Sequence, residues 1–221
     1  YKSQVKQLQY KIEDDLYNKI QRLSMSNQVT INTIFEVAWG ILLQQYNDCD
    51  DVVFGKVVSG RNVKIEGIEE IVGLFINTIP VRMQIDDLVS IEKSLREMQN
   101  NAIESIEYDF CSLPKIQAKT NVGNNLIKTL LIFENYYIDE KFNLLEDTFK
   151  FTSNREQTNY NITLYVIVNN GITLQLLYNP QIYSKDESLL LLDRLNLILM
   201  QMTQKQKQIV DQIADRCTLT G

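Results

Sequence analysis

The sequence contains no histidine, the side chain on which several kinds of active site depend. Without an imidazole, the chain lacks the base of Ser-His-Asp and Cys-His catalytic units and the ligand of histidine-bound zinc. Its three cysteines, Cys49, Cys111 and Cys217, are widely separated, and their spacing fits neither a metal site nor a disulfide framework. We therefore expect reduced thiols and no metal site, and if the intact protein is an enzyme of the histidine type, its base lies outside these residues.

Long apolar runs and basic clusters are also missing. No segment is as long as a membrane-spanning helix, and no signal-peptide pattern opens the sequence. The 22 basic and 28 acidic residues give a formal net charge of -6, and no block of one sign stands out. These features argue against nucleic acid or an anionic membrane as a partner and favour a cytoplasmic protein. Because the first residue is Tyr1, we interpret the chain as a piece of something longer.

What remains is a soluble-type composition, 44% hydrophobic over 221 residues, organised around residues 51–82. Residues 51–58 are apolar and β-branched and predict a strand, which a polar turn at residues 59–62 then ends. A second apolar run, residues 74–83, predicts another strand with Asn77 and Thr78 inside it. Buried polar side chains need partners, so this pair is either a satisfied part of the core or the polar wall of a ligand tunnel.

Apolar residues spaced three and four apart predict helices, and polar residues before them predict where they begin. Asp14 or Asp15 is expected to cap the first helix, and residues 24–28 to form the loop after it. Thr30 is expected to cap a long second helix, in which Trp39 lies among aliphatic residues and is therefore expected in the core.

The second half of the chain predicts two more long helices. Asp86 and Asp87 are expected to cap a helix over residues 88–106. Ser184 and Glu187 have the spacing of a capping box, in which each side chain bonds the other residue's backbone. Two shorter helices are expected at residues 113–118 and 205–213.

The clearest strand signal is the sequence Asn169-Asn170-Gly171, which lies between two β-rich runs over residues 160–168 and 172–178. It predicts a tight hairpin. Further strands are expected at residues 5–11 and 129–133, with a weak one at residues 148–152. Interleaved strands and helices predict an α/β layered fold, a two-layer sandwich with a mixed sheet and helices mostly on one face.

At this level of detail the sequence resembles a known family. Residues 72–82 read VGLFINTIPVR, similar to the motif GxFVNT…R of condensation domains of nonribosomal peptide synthetases. Residues 133–135 read FEN and resemble another strand end of that family, and residues 108–117 are a weaker match to the motif between them. Residues 155–162, REQTNYNI, resemble the late motif RDxSRNPL but depart from it at Asn159, Tyr160 and Asn161.

The resemblance covers essentially all of residues 1–221 and is specifically to the C-terminal half of a condensation domain. It implies a chloramphenicol acetyltransferase-like half-domain that forms one wall of a tunnel, with a floor loop after residue 61 and a latch around residues 149–158. Candidates for tunnel or motif positions are Ser59, Gly60, Arg61, Gly73, Phe75, Asn77, Thr78, Arg82, Arg155, Glu156 and Thr158. For Arg61 an exposed loop cation, and for Arg82 an ion pair at a strand end, are equally open.

In this family an amine on one carrier protein attacks a thioester on another, and an amide bond forms. The implied partners are the N-terminal half of the same domain, carrier proteins with phosphopantetheine arms, and a neighbouring adenylation domain. No cofactor is expected on this chain itself. The catalytic motif HHxxxDG belongs to the N-terminal half, so we expect this chain to be inert alone and to self-associate through the surface that half would cover.

Three alternative functions remain open. The first is an epimerisation or cyclisation domain, which shares this half of the fold. The second is a noncatalytic module that only docks a carrier protein. An acyltransferase that uses coenzyme A is the third, and it would also need the histidine that this chain lacks.

Overall fold

The structure is a computed structural model, and it describes residues 5–61, 67, 70–84, 89–135 and 159–204. These residues form one six-stranded sheet with a layer of helices. The strands are β1 (Lys6–Lys11), β2 (Asp51–Val58), β3 (Asn77–Gln84), β4 (Thr129–Asn135), β5 (Ile162–Val168) and β6 (Ile172–Tyr178). The helices are α1 (Asp14–Asn27), α2 (Ile31–Asn47), α3 (Ile91–Ser105), α4 (Leu113–Gln117) and α5 (Lys185–Gln204).

The sheet is mixed, as the sequence predicts. Its strand order is β1-β6-β5-β4-β2-β3; β2 and β5 both run parallel to β4, and the other pairs are antiparallel. Asn170 and Gly171 have positive φ values of 47° and 149°, which confirms the tight turn between β5 and β6. The parallel strands therefore end at a common edge, where β3 begins beside the end of β2.

The helices pack together on one side of this sheet, and α2 is the centre of that layer. It contacts α1, α3 and α5 as well as β2. Trp39 is fully buried, as expected, and so is nearly every residue from Thr33 to Leu42. A helix that is apolar on all sides is typical of a position enclosed by other elements. The prediction of a mixed sheet with helices mostly on one face is confirmed.

Two of the predicted helix caps are confirmed. Thr30 Oγ1 accepts a hydrogen bond from the Thr33 amide at 3.1 Å. At α5, Ser184 Oγ accepts from the Glu187 amide at 3.2 Å, and Glu187 accepts in return from the Ser184 amide at 2.7 Å. Both motifs satisfy donors at a helix start with side chains three residues apart, which is why local sequence is enough to find them.

The predicted starts of two helices were wrong. Helix α3 begins after Ser90, whose hydroxyl accepts from the Lys93 amide at 3.3 Å, and neither Asp86 nor Asp87 is its cap. Helix α1 begins after Glu13, which makes no side-chain capping bond. Serine and aspartate are nearly equivalent at this position, so the residue chosen depends on packing farther along the chain.

Two other boundaries were also wrong. Helix α1 includes the expected loop up to Asn27, because the polar side chains there bond to backbone carbonyls: Ser24 to Val29 at 2.6 Å and Asn27 to Leu23 at 3.0 Å. Strand β5 begins at Ile162 and not at residue 160. The weak strand at residues 148–152 and the helix at residues 205–213 lie outside the described residues.

An ion pair between the helix layer and the sheet connects α2 to β2. Lys56 Nζ lies 2.6 Å from Glu36 Oε1, and their side chains are 16% and 1% exposed. Asn32 Nδ2 donates to the same oxygen at 2.8 Å. Glu36 Oε2 is buried and has no hydrogen-bond partner in the described part of the chain. The carboxylate therefore depends on Lys56 for most of its compensation.

We predict that Lys56→Met lowers the free energy of unfolding by about 3 kcal/mol, because it leaves a buried carboxylate without its counter-charge. The matched control is Lys93→Met, which removes an exposed lysine paired with Glu97 and should cost well under about 1 kcal/mol. Urea unfolding followed by circular dichroism measures both. The double variant Lys56→Met/Glu36→Leu should recover much of the loss, and equal costs for the two single variants would contradict this account.

Candidate functional site

The candidate residues around the central motif lie at the carboxyl edge of the parallel strands. Strand β2 ends at Val58, which pairs with Asn77, the first residue of β3. Residues 59–61 leave this edge and residues 71–76 return to it. The second strand was predicted over residues 74–83, but β3 in the sheet is Asn77–Gln84. Leu74 and Ile76 lie outside it with exposed side chains. The prediction that this strand begins at residue 74 was therefore wrong.

Gly60 is required by the local backbone. It is buried, its φ is +66°, and a side chain there would overlap the carbonyl oxygen of Phe75. Left-handed backbone is strained for other residues, and the contact with Phe75 leaves no room for a Cβ atom. Ser59 supports the same turn, because its hydroxyl accepts a bond from the Arg61 amide at 3.4 Å. At Gly73 the space is less restricted, since a Cβ atom would meet only the Phe75 ring, at 3.3 Å.

Arg61 reaches across the edge to the returning segment. Its Nη2 donates to the carbonyl oxygens of Ile71 at 3.1 Å and Gly73 at 3.4 Å. Its guanidinium carbon lies 4.5 Å from the centre of the Phe75 ring, within the range of a cation–π contact. Arg61 therefore contacts the protein's own chain. One of the two roles considered from the sequence was an exposed cation in a loop.

Asn77 and Thr78 do not form one polar wall, because neighbouring residues of a strand point to opposite faces of the sheet. Asn77 Nδ2 donates to the carbonyl oxygens of Asp109 at 2.7 Å and Cys111 at 2.8 Å, in the turn between α3 and α4. Thr78 lies beside Gly55, on the other face. Asn77 is thus a brace between the start of β3 and the turn between α3 and α4.

Arg82 lies away from this edge, five residues along β3 from Asn77, or about 16 Å at the rise of a strand. It bonds Asp51 through both carboxylate oxygens, at 2.8 Å and 2.6 Å. The hydrogen bond from Arg82 lowers the pKa of the Asp51 carboxyl below its ordinary value. Both side chains are largely exposed, so the pair is an ion pair at the end of the strand.

Arg155, Glu156 and Thr158, with the latch around them, lie outside the described residues. In the described part, Cys49 and Cys111 are both free thiols, and no group of His, Cys, Asp and Glu is arranged to hold a metal ion. None of the described helices is long and apolar enough to cross a membrane. The described contacts of Arg61 and Asn77 are thus with the chain's own backbone and with Phe75, and that of Arg82 is with the Asp51 carboxylate.

An exposed apolar surface, which we expected from the sequence but not at these residues, adjoins the brace. Val72, Leu74 and Ile76 are 100%, 86% and 62% exposed, and Tyr108 and Phe110 on the neighbouring turn are 64% and 66% exposed. We call these residues, together with Ile71, the apolar ledge. A cluster of large exposed apolar side chains is typical of an interface. The signal for part of it in the sequence was the apolar run before Asn77, which we assigned to a strand.

A cavity among the described residues lies at the opposite edge of the sheet. A cavity of about 860 Å³ opens at the amino edge of the parallel strands. None of the motif candidates lines it. Its walls include Tyr46, Cys49, Asp51, Lys128, Leu190 and Arg194. We place the candidate site at the carboxyl edge despite this cavity, because that edge brings together the motif residues and the apolar ledge.

The family model described as "Condensation domain" matches residues 1–215. The chain belongs to the condensation-domain family. It is 39% identical over 173 residues to bacitracin synthase 3 of Bacillus licheniformis, a match that covers 76% of this chain and 3% of that protein. The chain therefore spans a small part of the large synthetase that it matches.

Solved structures of condensation domains have the same fold. A four-domain nonribosomal peptide synthetase bound to AMP and glycine aligns with a TM-score of 0.82 at 16% identity, over 95% of this chain and 17% of that one. The first condensation domain of the CDA synthetase aligns with a TM-score of 0.76 at 12% identity, over 94% of this chain and 47% of that one. The acetyltransferase-like half-domain expected from the resemblance is confirmed as the fold, and it spans about half of a solved condensation domain.

We predict that Gly60→Ala lowers the free energy of unfolding by about 3 kcal/mol, from backbone strain plus the contact with the Phe75 carbonyl. Gly123→Ala is the matched control, because Gly123 also has a positive φ, +52°, but nothing lies within 4 Å of its would-be Cβ. It should cost only the strain, about 1 kcal/mol. Thermal unfolding measures the difference. If both variants lose the same stability, the Phe75 contact does not constrain Gly60.

Proposed function

We propose that this chain is the C-terminal subdomain of a nonribosomal peptide synthetase condensation domain. In this proposal it forms one wall, the floor loop and the latch of a tunnel. There, the amine of a carrier-bound aminoacyl group attacks the thioester of a carrier-bound acyl or peptidyl group. The observation that carries the proposal is the family match over residues 1–215 in a chain that covers only 47% of a solved condensation domain.

The apolar ledge supports the existence of a second half. A solved condensation domain is about twice as long as this chain. Large exposed apolar side chains in one half of such a domain are typical of a surface that another part covers. We propose that the N-terminal half of the same domain covers the ledge. In its absence, two copies of this chain are expected to associate through the same surface, which is the self-association expected from the sequence.

The chemistry of the proposed reaction explains why this half would be inert alone. When the amine nitrogen bonds to the thioester carbon, the C–S bond breaks, the nitrogen loses a proton and the thiolate gains one. This chain has no histidine to handle that proton, and the family motif HHxxxDG is not in its sequence. Its contribution would be to hold two phosphopantetheine-tethered substrates in reacting geometry, which can lower a barrier by several kcal/mol.

The same proposal gives carrier proteins and a neighbouring adenylation domain as partners of the assembled domain. Residues 59–61 and 71–76 lie at one edge of the sheet, where a tunnel wall would face the other half. The polar groups described there bond to the chain itself, so this wall would act by shape. The chain's net charge of -6 supports a partner other than nucleic acid.

The test is a condensation assay with separately purified halves. We predict that this chain alone gives no amide from loaded donor and acceptor carriers, whereas the chain mixed with an N-terminal half bearing HHxxxDG gives product detectable by mass spectrometry. The control is the same mixture with the second histidine of that motif changed to alanine, which should be inactive because the proton acceptor is gone.

Two results would overturn the proposal. Amide formation by this chain unaided would show that the base is here. A complex of both halves that binds loaded carriers without turnover would instead favour a docking module, and a racemised or cyclised product would favour an epimerisation or cyclisation domain.

A further inference from the structure

Arg61 and Phe75 make a contact that closes the loop between β2 and β3. The chain leaves the sheet edge at Arg61 and returns through residues 71–76 to Asn77. The guanidinium carbon of Arg61 lies 4.5 Å from the ring centre of Phe75, and its Nη2 donates to the carbonyls of Ile71 and Gly73. One side chain therefore holds three points of the returning segment.

The neighbours of Phe75 show what this contact does to the segment. Leu74 and Ile76 are 86% and 62% exposed, while Phe75 between them is half-buried against the arginine. Holding Phe75 against the arginine therefore also holds its two neighbours, Leu74 and Ile76, in their exposed positions. Gly60 makes room for this arrangement, since any side chain there would overlap the Phe75 carbonyl.

Only an arginine suits these contacts together. Its guanidinium is planar, so it stacks on a ring with one face while its N–H groups donate in the plane to two carbonyls. Lysine carries the same charge as a compact ammonium, without the flat face or the fixed fork of donors. A role in holding the segment therefore requires the shape of arginine, whereas a role in attracting an anion requires only its charge.

We propose that Arg61 is a positioning residue that sets the apolar ledge in its docking conformation before the other half of the domain arrives. This rests on the proposed function, in which the N-terminal half covers the ledge. A surface that is already ordered loses less conformational entropy on association than one that must be ordered at contact. Removing the arginine should therefore weaken association of the halves.

The first test uses this chain alone. Nitrogen-15 relaxation of the backbone amides of residues 71–76 should show lower order parameters in Arg61→Ala and Arg61→Lys than in the unchanged chain, with α5 unaffected. Arg96→Ala is the matched control, since Arg96 is an exposed arginine on α3 paired with Glu92 and should change nothing in residues 71–76. Unchanged order parameters in Arg61→Ala would overturn the proposal.

The second test measures association with the N-terminal half by calorimetry. Arg61→Ala should raise the dissociation constant about threefold to tenfold, as expected for loss of one exposed cation–π contact and its hydrogen bonds. Arg61→Lys should not restore it, because an ammonium lacks the planar fork of donors, and the control Arg96→Ala should bind like the unchanged chain. In Phe75→Leu the further change Arg61→Ala should have little added effect, because the two act through one contact.

A direct contact to the phosphate of a carrier arm would give a different pattern. Arg61→Lys would then behave like the unchanged chain, association of the halves would be normal, and the defect would appear as a salt-dependent rise in the KM for the loaded carrier. That pattern would overturn the positioning role. If the unchanged halves associate but form no amide, the proposed function fails while the relaxation and association data still decide the role of Arg61.

Discussion

The side-chain amide of Asn77 is the contact on which the candidate site depends. It donates two hydrogen bonds, at 2.7 Å and 2.8 Å, to backbone carbonyls of residues 109 and 111. These bonds attach the start of an edge strand to the turn between α3 and α4, so segments from two distant parts of the chain present one surface. The apolar ledge is thus a product of tertiary structure rather than of either segment.

A second constraint connects this edge to the core. Strand β2 leads into the turn at Gly60, and Lys56, two residues before the strand ends, pairs with the buried Glu36 of α2. Burial of two charges contributes little net stability, but loss of either partner is costly, so such a pair holds one arrangement against others. The Lys56–Glu36 pair therefore fixes the position of the turn at Gly60 relative to the helix layer.

Local chemistry made much of the fold predictable from the sequence, and long-range contacts made the rest unpredictable. The cap at Thr30 and the Asn170-Gly171 turn depend on neighbouring residues, and both were found. Glu36 and Lys56 are 20 positions apart (56 − 36), and a glutamate in a helix ordinarily faces water. A signal was present, because most of the residues around Glu36 in α2 are apolar, which is typical of an enclosed helix.

The central claim is that the apolar ledge is the surface on which the other half of the domain docks. Calorimetric titration of this chain with the N-terminal half tests it most directly, with Leu74→Ser on the ledge compared with Met25→Ser on α1, two apolar side chains that are 86% and 77% exposed. If the ledge is buried on docking, Leu74→Ser weakens association about tenfold and Met25→Ser leaves it unchanged. Equal affinity for Leu74→Ser and the unchanged chain would contradict the account.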